Sequence, residues 1–262
     1  MAILLTASCF AGGLMACDKE ETPKKTVVIG YTDYAPMNYE ENGTLVGFDT
    51  ELAKKAFGDL GYQYRFKLID WANKYSELEA GTIDCIWNGF TANCADDDGV
   101  QRADKVDFSY YYMTNTQCII RLNTTAELTA TSQFEGKSVA YEDGSAGESY
   151  VEGIIEDESI NANGKGLGSQ MDAVREVSSG TAQYAVVDVL LAQSLAGQGN
   201  FANVVINEGI AIAEEYYAIG FKKGSDLTAK INEKLLAYEE NGYLAQLAEK
   251  YNISSKLIPI NK

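Results

Sequence analysis

Glu79–Gly89 reads EAGTIDCIWNG, and Ser178–Asp188 reads SSGTAQYAVVD. Each stretch leaves a helical pattern through Gly-Thr, enters a short apolar strand and finishes on polar residues. Ahead of the first, Trp71, Tyr75 and Leu78 share a helical stripe; ahead of the second, Met171, Val174 and Val177 do so over residues 169–179. Gly81 and Gly180 stop those helices. The strands Ile83–Trp87 and Tyr184–Val187 then deliver Asn88 and Asp188 at their carboxyl ends. The same helix–turn–strand unit therefore occurs once in each half. Strands alternating with helices specify parallel-rich α/β sheets, whose ligands bind beyond the carboxyl ends of the strands. Two such sets of ends facing each other make a cleft.

The flanking segments fit that plan. Thr26–Gly30 is a short apolar strand, and residues 49–60 place Leu52, Ala53, Ala56, Phe57 and Leu60 on one helical stripe. Asp49 reads as the N-cap of that helix and Gly61 as its stop. Tyr62, Tyr64, Phe66 and Leu68 alternate with polar residues, which predicts a half-buried strand. Between the halves, Tyr110–Asn123 (YYYMTNTQCIIRLN) is β-prone without a breaker, and Glu214–Gly224 (EEYYAIGFKKG) is a second such segment. Two extended crossings let the chain leave one lobe, build another and return. Leu227, Ile231, Leu235 and Tyr238, then Leu244, Leu247, Ala248 and Tyr251, mark two closing helices packed on the first lobe.

Composition narrows the chemistry. With a formal charge of −17, the chain lacks the clustered Lys and Arg that nucleic acid or an anionic lipid surface requires. It contains no histidine, which removes Ser-His-Asp and Cys-His nucleophile systems and the commonest metal ligand. No catalytic residue, cofactor or metal is expected. Asp96-Asp97-Asp98-Gly99 lacks the alternating ligands and closing Glu of a calcium loop and reads as a solvated loop. Gly164-Lys165-Gly166-Leu167-Gly168 is not a dinucleotide fingerprint and reads as a flexible turn.

Residues 1–16, MAILLTASCFAGGLMA, are apolar and too short to span a bilayer, as in a signal peptide. Leu14-Met15-Ala16-Cys17 resembles the lipobox of bacterial lipoproteins, although no Lys or Arg precedes the apolar run. The resemblance makes Cys17 the lipidated first residue and residues 17–25 a tether to the outer face of the membrane. Of the remaining cysteines, Cys85, Cys94 and Cys118, two could pair in an oxidising compartment.

Over residues 26–253 the body resembles the solute-binding proteins of polar amino-acid ABC importers, family 3. The residues that carry the likeness are Ile29-Gly30-Tyr31-Thr32 with Tyr34-Ala35-Pro36-Met37, Leu45-Val46-Gly47-Phe48-Asp49, and Gly81-Thr82-Ile83-Asp84. Further on come Val106-Asp107-Phe108-Ser109, Glu135-Gly136-Lys137, Gly144-Ser145-Ala146-Gly147, Val187-Asp188 and Asn241-Gly242-Tyr243-Leu244. The resemblance implies a two-lobed, type II periplasmic-binding-protein fold with a two-stranded hinge. Its lobes would be residues 26–118 with 213–262, and residues 119–212. It implies a monomer that captures a free amino acid, polar or cystine-like, and delivers it to the importer's membrane subunits.

The resemblance also assigns roles. Asp188 would hold the ligand's α-ammonium by a charge-assisted bond, its structural alternative being an N-cap for the helix over 189–197. Arg102 would clamp the α-carboxylate, although Ala92–Gln101 forms a longer loop before it than the family usually carries. Thr91, the backbone at Asn88 and Gly89, and the N–H groups at Ser145, Ala146 and Gly147 would add donors. Tyr34 and Trp71 would wall the side chain, and Asp33 could meet a basic one. Two rivals remain: a dehydratase of cyclic amino acids, with Glu142 or Glu148 as its catalytic carboxylate, and a lipoprotein that presents ligand to a separate receptor.

Overall fold

The computed structural model describes residues 25–157 and 159–260. The signal segment 1–16, Cys17 and the tether as far as Lys24 lie outside them. No described helix is long and apolar enough to cross a membrane.

Two sheets organise the chain. The first runs Gln63–Leu68, Thr26–Tyr31, Cys85–Ile86, Gly220–Phe221, Asp107–Phe108. Its first three strands are parallel, and Gly220–Phe221 joins antiparallel to both neighbours. The second runs Val204–Asn207, Met113–Leu122, Tyr184–Asp188, Ser138–Glu142, Asn163–Leu167. Its last three strands are parallel and the other pairings antiparallel. The sheets are mixed rather than mostly parallel: the helix–turn–strand units give the parallel pairings, and the two crossing segments add antiparallel ones.

Both sheets are covered on both faces, as parallel sheets require. In the first, Val27 and Ile29 meet Leu52, Ala53, Ala56 and Phe57 of the helix Phe48–Asp59, while Val28 and Ile86 face Trp71, Leu78 and Phe90. In the second, Ala185 and Val187 pack with Ala173, Val174 and Val177 of the helix Gln170–Ser179, and Tyr184 and Val186 with Phe134 and Val151. Each fully buried aliphatic or Phe side chain contributes about 1.5–3 kcal/mol relative to exposure. Leu227, Ile231, Leu235 and Tyr238 of the helix Asp226–Glu240, and Leu244, Leu247 and Ala248 of Tyr243–Lys250, are buried as their stripes predict.

The two long segments make the joint. Met113–Leu122 pairs through Met113–Thr116 with Glu214–Tyr217 and through Gln117–Leu122 with the second sheet. One strand is thus hinge at its start and sheet at its end.

Several local expectations change. Asp49 does not cap its helix: Gly47 holds that position, and Asp49 turns inward from the first turn. There its carboxylate accepts the Gly89 N–H at 2.7 Å and the Tyr112 hydroxyl at 2.8 Å. The strand Gln63–Leu68 lies at a sheet edge, so Tyr64 and Leu68 are exposed and Phe66 alone of the three is half-buried. Asn163–Leu167 is a strand and not a turn. Its glycines fit because a Cβ at Gly164 or Gly166 would strike Glu152 or Asp143 lying across it. Cys85, Cys94 and Cys118 are all free thiols.

Candidate functional site: a polar cavity between the two sheets

The strand ends of the first sheet build one wall. Asn88 follows Cys85–Ile86, where its Oδ1 accepts the Thr32 N–H and its Nδ2 donates to the Thr32 hydroxyl, both at 2.8 Å. Those bonds tie the turns after two neighbouring strands together. Gly89 then takes φ +57°, and a Cβ there would lie 2.6 Å from the Tyr34 ring and 3.0 Å from that of Tyr217. Only glycine suits both the backbone and the space. Gly89→Ala is expected to cost about 2–4 kcal/mol from the backbone and overpacking together. Thermal unfolding reads this as a fall of several degrees, and an unchanged midpoint would refute the constraint.

Arg102 reaches the same wall in spite of the long loop, because the loop folds back on itself. Ala95 bridges Gln101, Asp96 N–H donates to the Val100 carbonyl, and Arg102 N–H donates to the Cys94 carbonyl. The return brings the 1% exposed Arg102 side chain over the Phe90 ring. Its Nε donates to Asp96 Oδ1 at 2.7 Å, Nη1 to the Thr91 carbonyl at 3.1 Å and Nη2 to the Gly144 carbonyl at 3.2 Å. Asp96 also receives Lys105 at 2.8 Å. It is therefore buried and paired, not solvated as the sequence suggested. Burial opposes its charge, but Arg102 and Lys105 outweigh burial and hold its carboxyl below the usual range.

The second sheet supplies the opposite wall. Asp188 ends Tyr184–Asp188 with its side chain buried. Its Oδ1 accepts Asn115 Nδ2 at 2.6 Å and Gln117 Nε2 at 2.5 Å, and its Oδ2 accepts Gln170 Nε2 at 2.5 Å. Asp188 holds the N-cap position of Val189–Leu195 but makes no capping bond with its side chain. Glu215 Oε2 accepts the same two amides, Asn115 and Gln117, at 3.0 Å each, together with the Thr91 hydroxyl at 3.0 Å. Strand register explains the sharing: Asn115 lies across from Glu215, and Gln117 across from Asp188. Two buried carboxylates thus share two neutral donors with no lysine or arginine bonded to either among the described residues. Burial, then the Glu215 charge, pushes the Asp188 carboxyl upward, with the three amides acting the other way.

Ser145 and Ala146 complete the second wall. Ala146 and Gly147 open the helix Ala146–Asp157, where N–H groups have no carbonyl of their own helix to bond. The Ser145 hydroxyl accepts the Glu148 N–H at 3.1 Å, and the Glu148 carboxylate accepts the Gly144 N–H at 2.6 Å. Lys74, 1% exposed, donates to the Gly144 carbonyl at 2.8 Å from the first sheet's side. Burial, then Arg102, pushes its ammonium down to about 7.

A small polar cavity lies between these walls. Trp71, Asn88, Gly89, Thr91, Arg102, Ser145, Ala146 and Asp188 line it, which brings together eight of the ten residues singled out in the sequence. Tyr34 does not line it: it lies behind Gly89, with its hydroxyl 2.7 Å from that of Tyr217. Gly147 is packed one step back, against the Val186 carbonyl. The Gly89 N–H, expected to face a ligand, is taken by Asp49, and the Thr91 hydroxyl by Glu215. Asp33 is exposed and lies outside the lining. Gln117, Glu142 and Gln170 line the cavity but were not assigned to ligand binding. The amides of Asn115 and Gln117, on one face of the polar run Thr114–Gln117 that opens the crossing strand, were the one signal available, since a buried polar face needs partners.

Two α/β sheets joined by paired crossing strands, with a cavity walled by the strand ends of both, define a two-lobed binding protein of the type II periplasmic class. More narrowly, the chain belongs to the bacterial extracellular solute-binding proteins, family 3, whose match spans residues 27–254. It is 27% identical over 259 residues to the arginine-binding extracellular protein ArtP of Bacillus subtilis (strain 168), covering 97% of this chain and 98% of that one. It is 24% identical over 234 residues to the L-cystine-binding protein TcyA of the same organism, covering 83% and 77%. An ancestral arginine-binding protein bound to arginine superposes with a TM-score of 0.78 at 29% identity, covering 87% of this chain and 98% of that one. Family membership places the protein outside the cytoplasm.

Proposed function

We propose that this protein captures a free amino acid between its lobes and delivers it to the membrane subunits of an ABC importer. One observation carries the reading. Asp188 lines the cavity with its buried carboxylate held only by neutral amides, two of them shared with Glu215 outside the lining, and so suits a positive group, while Arg102 and the start of the helix Ala146–Asp157 offer donors across the same cavity. A zwitterion satisfies both ends at once. The relatives named for arginine and cystine binding support the class of ligand.

In this reading residues 26–118 with 213–262 form one lobe and residues 119–212 the other. The pairing of Met113–Thr116 with Glu214–Tyr217 supports a hinge there. Closure forms the bonds from Lys74 and Arg102 to the Gly144 carbonyl, which opening breaks. Cys17 carries the lipid that holds the protein, as a monomer, at the outer face of the membrane. On this reading the protein binds without turnover: of the two carboxylates a dehydratase would use, Glu148 is engaged with the Gly144 N–H, and Glu142 is the one left for a prephenate test to probe.

A thermal-shift screen of all amino acids, cystine and prephenate tests this, using protein unfolded and refolded to strip carried ligand. A ligand at a hundred times its Kd adds about 2.7 kcal/mol, a rise of roughly 5–10 °C. No shift with any amino acid would sink the capture reading, and turnover of prephenate would replace it with the enzyme.

A further inference from the structure

The cavity holds one acid to which capture of a zwitterion gives no task. Glu142 ends the strand Ser138–Glu142, next to Tyr184–Asp188 in the second sheet, and lines the cavity on the side of Asp188 away from the hinge. Its side chain is 3% exposed, and its buried Oε1 has no hydrogen-bond partner. Lys74 does not close that gap, because its ammonium is directed to the Gly144 and Trp71 carbonyls.

The charges around the cavity do not balance either. Asp188, Glu215, Glu142 and Asp96 are buried acids, against Arg102 and Lys74 as buried bases. Arg102 is paired with Asp96, which takes a further share of Lys105. A ligand ammonium at Asp188 therefore leaves Glu142 uncompensated, and a neutral side chain leaves it so. Resting on the capture reading, we propose that Glu142 is the specificity-determining residue of this site and selects an amino acid with a cationic side chain, a guanidinium or an ammonium. This differs from the polar or cystine-like side chain expected from the sequence. Burial, then Asp188, pushes the Glu142 carboxyl up to about 8, with Lys74 and Gln170 acting the other way. A ligand cation beside it supplies the missing counter-charge.

Isothermal titration of the purified protein with L-arginine against L-citrulline, and L-lysine against L-norleucine, tests the proposal. Each pair is close in shape and differs in side-chain charge. The unaltered protein is expected to favour the cation at least ~10-fold in one pair or both, as a hydrogen bond between charged groups implies. Glu142→Gln, with Glu142→Leu as a second variant, is expected to bring that ratio close to one. A ratio near one in the unaltered protein overturns the proposal. So does a ratio unchanged in both variants, since Glu142 then only offsets Lys74. Absence of binding by all four compounds also overturns it, and the wider amino-acid screen then decides the capture reading separately.

Discussion

Asp188→Asn is expected to weaken amino-acid binding by about 10²–10³-fold while leaving the ligand-free protein folded. Truncating one partner of a buried, hydrogen-bonded charge pair costs about 2–5 kcal/mol, because the ligand's ammonium then enters a buried site short of its counter-charge. The stability of the empty protein moves much less, for a reason visible in the site. The substitution removes a charge that burial and Glu215 already disfavour, but it turns an Asn amide toward Gln170 Nε2, donor against donor. These effects oppose each other, so the melting midpoint is expected to stay within about 2–4 °C. Calorimetric titration with the ligand found in the screen, beside a thermal melt of the empty protein, reads both quantities. Retained affinity would remove Asp188 from ligand binding. A collapse of the empty protein would make it a structural anchor of the hinge amides.

What the sequence disclosed, and what it hid, follows from the range of the interactions. The doubled helix–turn–strand unit was legible because its signals are local: a stripe at helical period, a glycine stop and a short apolar run. Asp188 and Asn88 were legible because a polar residue closing a buried strand sits where such sheets bind ligands. The failures were tertiary. Asp49 satisfies every local rule for an N-cap, yet Gly89, forty residues on, takes its carboxylate. Tyr34 was assigned to the cavity, but the positive φ of Gly89 lets the ring pack behind that residue. Glu215 gives no local sign of standing beside Asp188; only the register of Met113–Leu122 against two different strands joins them through Asn115 and Gln117. Lys74 likewise falls in a helix read from its apolar stripe, so its reach to Gly144 was invisible.

Arg102 is where fold and site are hardest to separate, and the expected result reflects that. Arg102→Ala should destabilise the empty protein by about 3–5 kcal/mol, because it leaves Asp96 buried without its main partner. The melting midpoint should fall by about 10 °C or more. Loss of binding in that variant alone would therefore prove little, since the loop Ala92–Gln101 depends on the same ion pair. Asp96→Asn combined with Arg102→Ala resolves the ambiguity. With the orphaned charge gone, Lys105 loses a partner it can replace with water, and much of the lost stability should return. Ligand affinity should not return, because the donors from Nη1 and Nη2 at the cavity are still missing. Recovery of both stability and affinity in the double variant would show that Arg102 only braces the loop. Recovery of stability alone would mean that the protein uses one guanidinium twice: Nε fixes the inserted loop through Asp96, and that fixing aims the rest of the fork at the ligand's carboxylate.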